Sequence, residues 1–319
     1  MSGALPVVFH PDYTFDWPGH VFPTDKYRRT AAALVKRGVV PAGGFLAPRP
    51  ATREELLRVH EARYLGLLEA IAAGRAAWDP RMEVPVSQEV LDAFRLAAGG
   101  SIEAARAALQ KGAAANLTGG FHHAYPDHGE GFCLIHDAAV AVQALRSEGR
   151  IRRALFVDLD VHQGNGTVAC FRGDADAYTF SIHDEENYPW PKERGSLDVG
   201  LDAGAGDSEY LAALDAALPR VAAEFPRPDL LVHVAGADPF VEDRLGQLSI
   251  TREGFRRRDA RVLRHAAEEG CPVLGLLAGG YALDTEDVVG IHADMVEALA
   301  RWLEGGRRPP AGPVVGSAP

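Results

Sequence analysis

The sequence predicts a single α/β domain built on an open, mainly parallel sheet with helices on both faces. Three observations carry this expectation. Short apolar runs alternate with longer segments rich in Ala, Leu, Glu and Arg, the pattern of strands returning through helical crossovers. Two of the runs, 154–160 (Ala-Leu-Phe-Val-Asp-Leu-Asp) and 230–235 (Leu-Leu-Val-His-Val-Ala), are apolar almost without a break, as strands covered on both faces are. Several runs also give way at their C-terminal ends to Gly, His and Asp, and that edge is where open α/β sheets bind ligands.

Taken in order, the apolar runs place strands at 6–9, 114–118, 154–160, 177–182, 230–235 and 272–277. The intervening segments place helices at 53–73, 89–111, 136–148, 208–224, 252–268 and 286–303. Residues 184–206, with two prolines and many charges, read as a long loop on the rim of the binding face. No repeat and no Pro/Gly-rich linker divides the middle of the chain, so the 319 residues are read as one domain over 1–304. Residues 305–319 have the composition of a mobile tail.

Composition narrows the function classes. At 47% hydrophobic and 24% charged residues the chain is neither disordered nor collagen-like, and a net charge of -11 opposes nonspecific binding to nucleic acid or an anionic membrane. Cys133, Cys170 and Cys271 are scattered and lack CxxC spacing, which reads as reduced thiols of a cytoplasmic protein. The N-terminus shows no basic segment followed by an apolar run, and the apolar stretch 272–283 is too short to span a bilayer. A cytoplasmic location is expected, and the oligomeric state is left open.

The chemistry-bearing residues lie at the strand ends. Asp160 and His162 are two apart, so on a continuing strand both point to one side, with Asp158 beside them. A carboxylate and an imidazole suit zinc, and Asp238, just after run 230–235, is the best third ligand, leaving the open position a catalytic metal needs. The plainer alternative is an aspartate that caps a helix and a histidine that merely bonds within a turn. His122 and His123 follow two glycines in Thr-Gly-Gly-Phe-His-His, where a turn lets both rings face a cleft and divide the proton transfers of a hydrolysis. Tyr281, after Ala-Gly-Gly, could donate to an oxygen developing negative charge or be an ordinary turn tyrosine. Phe132, between Gly131 and Cys133, is either a core ring or the wall of an apolar tunnel. Two-metal ureohydrolases of the arginase-like type carry a further carboxylate after each such motif; here those positions are Gly164 and Phe240, which favours one metal over two manganese ions.

The order and spacing of these motifs resemble the histone deacetylase family of the arginase/deacetylase superfamily. The matching segments are Thr-Gly-Gly-Phe-His-His-Ala at 118–124, Gly-Phe-Cys at 131–133, and Asp-Leu-Asp-Val-His-Gln-Gly-Asn-Gly-Thr at 158–167. Ala-Gly-Ala-Asp at 235–238, Asp-Arg-Leu-Gly-Gln-Leu-Ser-Ile-Thr at 243–251 and Gly-Gly-Tyr at 279–281 complete the set. The resemblance implies an arginase/deacetylase-like fold with eight strands, and one zinc ion on Asp160, His162 and Asp238. It implies His123 as the main general base and acid, His122 as its charged neighbour oriented by Asp158, and Tyr281 on the substrate carbonyl. It also implies potassium held by Asp158, Asp160, His162 and backbone around Ser181, and an acyl-lysine tunnel lined by Gly131, Phe132 and Tyr188.

One departure stands out. The well-known eukaryotic class I pattern has aspartate where this chain has Asn165, whose amide can orient His123 but brings no negative charge. The pattern, with the loop from Ser181 to Pro189, leans toward bacterial and class IV members. The implied activity is zinc-dependent removal of an acetyl or other acyl group from lysine. The alternatives are deacetylation of a small cationic amide such as an acetylpolyamine, and a non-catalytic acyl-binding module. The net negative charge suits a cationic substrate in either enzymatic case.

Overall fold

A computed structural model describes residues 4–15, 17 and 19–305. Residues 306–319, nearly all of the tail set apart by composition, lie outside the described residues. Seven parallel strands form one sheet: β1 (Val7–Val8), β2 (Ala113–Asn116), β3 (Ala154–Asp158), β4 (Ala177–Asp184), β5 (Leu197–Leu201), β6 (Leu230–Val234) and β7 (Val273–Leu276), in the order β1-β2-β7-β6-β3-β4-β5. The expected eight strands are therefore seven among the described residues, and the sheet is wholly parallel. Every residue of β2, β3, β6 and β7 is buried, which explains their nearly unbroken apolar character.

The helices are α1 (Lys26–Lys36), α2 (Arg53–Leu56), α3 (Ala62–Ala72), α4 (Gln88–Lys111), α5 (Asp137–Ser147), α6 (Asn165–Cys170), α7 (Asp207–Glu224), α8 (Arg252–Glu269) and α9 (Thr285–Glu304). Helix α4 packs on α5 and on β1, β2 and β7, while α1, α9, α8 and α7 pack in succession. The sheet is thus covered by helices on both faces, and no helix among the described residues is long and apolar enough to cross a membrane.

The differences from the expected elements have local causes. The single helix expected over 53–73 is two, because the buried His60 between them takes tertiary partners: its Nδ1 pairs with the Tyr125 carbonyl at 3.0 Å and its Nε2 accepts from His136 N–H at 3.0 Å. Helix α2 starts in a capping box, Thr52 with Glu55, that the periodicity alone did not separate. The expected loop 184–206 holds the edge strand β5, which is short and whose apolar pattern is broken by Asp198 and Gly200. Helices α1 and α6 were not foreseen.

β3 ends at Asp158, two residues earlier than expected, so Asp160 and His162 are not strand neighbours. They lie in a turn, where Asp158 Oδ1 accepts from the Asp160 N–H (3.3 Å) and Asp160 Oδ1 accepts from the His162 N–H (3.0 Å). Side chain to backbone bonding two residues on is a common aspartate device, and here it supplies the convergence that strand alternation was expected to give.

Candidate active site

Four neighbouring strands, β2, β7, β6 and β3, deliver their C-terminal loops to one place. The loop after β6 is tied to the loop after β3 by Asp238 Oδ1, which accepts from the Val161 N–H at 2.9 Å. The loop after β7 joins them through the Gly279 N–H, which donates to Asp160 Oδ2 at 2.9 Å. A Cβ at position 279 would fall 1.9 Å from Asp238 Oδ2, so this approach requires glycine.

Asp160, His162 and Asp238, all buried, offer ligand atoms within 4.8 Å of one another. His162 Nδ1 lies 3.1 Å from Asp160 Oδ1 and 3.3 Å from Asp238 Oδ2, and the latter oxygen has no hydrogen bond. A buried carboxylate oxygen without a partner is costly, and a cation would satisfy it. The local charge shows the same demand. Burial works against a charged His162, yet Asp160 and Asp238 pull its imidazole up to about 10, and burial with the Asp160 charge pushes Asp238 up to about 7. Two carboxylates and one imidazole form a donor set that fits zinc with a position left open. Phe240 is buried and bonded through its backbone to Ala237, and Gly164 has no side chain, so neither adds a ligand.

The loop after β2 brings His122 and His123 together with ring centroids 4.0 Å apart. His122 Nδ1 pairs with Asp158 Oδ2 at 2.8 Å, and its Nε2 lies 3.6 Å from Asp160 Oδ1. Burial opposes its charge, but these two carboxylates prevail and lift it to about 9. His123 Nδ1 pairs instead with Asn165 Oδ1 at 2.6 Å, at the start of α6. Burial, then the neighbouring His122 and His162, hold His123 well below the ordinary histidine value. One ring is set to carry charge and the other to stay neutral.

Both histidines line a cavity of about 250 Å³ together with Asp160, His162, Tyr281, Gly131, Phe132 and Tyr188. The structure thus brings together at one cavity most of the residues singled out from the sequence. Asp158, Asn165 and Asp238 stand directly behind it. Ser181 is in register with Asp158 on β4 and its hydroxyl pairs with His183 Nδ1 at 2.9 Å. Gly131 has a positive φ of 51°, and a Cβ there would meet His123 Cδ2 at 2.6 Å, so the cavity wall touches the imidazole only because this residue is glycine. Phe132 stands edge to face with Tyr281 at 6.0 Å, and Tyr188 with His123 at 4.9 Å. The Tyr281 phenol is buried and, by that burial first and the Asp238 and Asp160 charges next, is kept protonated well above its ordinary value.

Several cavity residues were not singled out from the sequence: Phe22, Glu83, Asn187, Trp190 and Leu245. Lys26 was also missed. It is fully buried, donates from Nζ to the Ala278 carbonyl at 2.8 Å, and lies 5.6 Å from the Tyr281 ring centroid. No periodicity marks these residues, because tertiary approach of loops selects them. A larger cleft, about 720 Å³, lies between α8 and α9, but Asp294 on its wall is paired with Arg256 and, among the described residues, no group of three metal-ligating side chains faces it. The candidate site is therefore the smaller cavity.

Comparison with known proteins agrees with this geometry. The histone deacetylase domain family matches residues 20–296. An uncharacterized protein of Picosynechococcus sp. is 39% identical over 292 residues, covering 91% of this chain and 96% of that protein. Histone deacetylase 2 of Arabidopsis thaliana is 33% identical over 309 residues, covering 92% of this chain and 78% of that protein. Among solved structures, a histone deacetylase homolog from Aquifex aeolicus superposes with a TM-score of 0.80 at 26% identity, covering 94% of this chain and 84% of that one.

Proposed function

The chain belongs to the histone deacetylase family, and on that premise we propose that it removes an acetyl or other acyl group from the side-chain nitrogen of lysine by zinc-dependent hydrolysis. The observation that carries the reading is the buried group Asp160, His162 and Asp238 with its unpartnered Asp238 oxygen, set beside two imidazoles of opposite protonation. Asp160, His162 and Asp238 would hold one zinc ion, which when bound supplies Lewis acidity to the amide carbonyl and to water.

The remaining steps fall to the protein's side chains. His123, neutral and with Nδ1 occupied by Asn165, takes a proton from the attacking water at Nε2 and passes it to the leaving amine. His122, charged and held by Asp158, stabilises the negative charge that develops beside it. The Tyr281 hydroxyl, kept protonated, donates to the carbonyl oxygen as it becomes an oxyanion. Gly131, Phe132 and Tyr188 wall the passage for the apolar lysine stem. A potassium ion would sit behind the site, on Asp158, Asp160, the His162 backbone and the backbone near Ser181. The protein would work in the cytoplasm.

A small acylated amine is the second substrate class. Glu83 and Trp190 line the same cavity, and an acidic and an aromatic group together suit a second cationic centre. A screen of the zinc-loaded protein against acetyl-lysine peptides, longer acyl-lysines and acetylpolyamines tests the reading. Turnover of acyl-lysine peptides in preference to acetylpolyamines supports it, the reverse order selects the second class, and turnover of none, with zinc bound, leaves a non-catalytic binding module.

A further inference from the structure

Behind Asn165 stands a carboxylate that neither the motifs nor the mechanism above has used. Glu130 Oε1 accepts from Asn165 Nδ2 at 2.9 Å and from the Tyr188 hydroxyl at 2.5 Å, while its Oε2 lies 3.3 Å from His128 Nε2. His128 Nδ1 in turn pairs with Asp127 Oδ1 at 2.7 Å. Burial raises the Glu130 carboxyl, but its bonds to His128, Tyr188 and Asn165 outweigh this and leave it below its ordinary value, hence ionised at neutral pH.

An ionised carboxylate accepts hydrogen bonds and donates none, whereas an asparagine amide has one accepting and one donating end. Glu130 therefore selects the donating end, and Asn165 must turn its oxygen toward His123. Only Nδ1–H of His123 can satisfy that oxygen, which leaves Nε2 unprotonated in the neutral ring. We propose that Glu130 is a positioning residue that, through Asn165, sets the Nδ1–H tautomer of His123 and so makes Nε2 its basic nitrogen. An aspartate at position 165 would fix the tautomer by itself, since both of its oxygens accept. Asparagine there leaves the choice open, and Glu130 removes the ambiguity. The proposal rests on His123 being the base of the proposed reaction.

The test pairs Glu130→Ala and Glu130→Gln with Asn165→Asp, singly and together, in the zinc-loaded protein, reading kcat and KM for an acyl-lysine substrate and the ring-nitrogen resonances of His123 by ¹⁵N NMR. Glu130→Ala is expected to lower kcat about tenfold and to populate the Nε2–H form. Asn165→Asp alone is expected to lose activity too, because its carboxylate would face Glu130. Glu130→Ala with Asn165→Asp is expected to recover kcat and the Nδ1–H signature. Glu130→Gln keeps the shape and, if the tautomer is held less firmly there than in the native protein, separates charge from packing. Tyr188→Phe, which frees Glu130 of one bond and leaves Asn165 alone, is expected to keep the Nδ1–H form. A Glu130→Ala protein that is folded and retains the pure Nδ1–H tautomer overturns the proposal. So does a double variant no better than Glu130→Ala. The NMR result needs no turnover, so it stands or falls apart from the activity assignment.

Discussion

His122 and His123 are adjacent in the chain and equally buried, yet they face differently built walls. The wall at the end of β3 presents a carboxylate, Asp158, 2.8 Å from His122, and that ring is lifted to about 9. The wall at the start of α6 presents an amide, Asn165, 2.6 Å from His123, and that ring is pushed well below its ordinary value. Burial disfavours charge on both, so the difference lies in the partners. Two titratable groups driven to opposite states by their surroundings are what a site needs to hold one charge and move one proton at the same pH.

The contrast is broken most severely by removing the neutral ring. His123→Ala is expected to lower kcat by about 10³-fold, within the range of general acid–base catalysis. His122→Ala, which removes the proposed charge stabilisation but leaves the proposed base, is expected to cost less, about 10- to 100-fold. Steady-state rates on one acyl-lysine substrate, with zinc content checked in each variant, measure both. Equal losses would erase the division of labour.

A smaller effect sharpens the same contrast through stability. A histidine with a raised pKa contributes stability that is complete below its unfolded value, about 6.5, and is lost as pH rises through its folded value. The His122–Asp158 pair should therefore make the metal-free protein less stable as pH rises toward about 9. His123 has the opposite sign: kept neutral when folded, it lets the unfolded chain bind the extra proton, so stability falls as pH drops below about 6.5. Thermal melting across pH 5–9 is expected to show both losses. Asp158→Asn should lessen the high-pH loss, leaving the share that His162, also raised, contributes, and should leave the low-pH loss; an unchanged high-pH slope would remove Asp158 as a cause.

The wall at β3 was far more legible in the sequence than the wall at α6. Asp158, Asp160 and His162 follow an unbroken apolar run, and burying such groups after a central strand demands partners, so the pattern pointed to a metal before any contact was known. Strand alternation was expected to make Asp160 and His162 converge, but a turn and not a longer strand does so. Glu130 was illegible because it reads as an ordinary charged residue in a glycine-rich loop, and its meaning comes from the approach of α6. Helix α6 itself is six residues with Asn, Gly and Thr, too short and too poor in helix formers for periodicity to find. Lys26 was missed for a related reason: its helix lies in the N-terminal quarter of the chain, and only the tertiary fold sets its ammonium under the Ala278 carbonyl.

Acetate release from an acetyl-lysine peptide, measured for the native protein and Asp238→Asn after metal removal and again after adding back one equivalent of zinc, tests the proposed zinc-dependent hydrolysis most directly. Activity of the native protein that disappears with the metal and returns with zinc, together with an Asp238→Asn protein that is folded, binds zinc weakly and stays inactive, is the predicted result. Undiminished hydrolysis by the metal-free native protein, or by zinc-free Asp238→Asn, would contradict it.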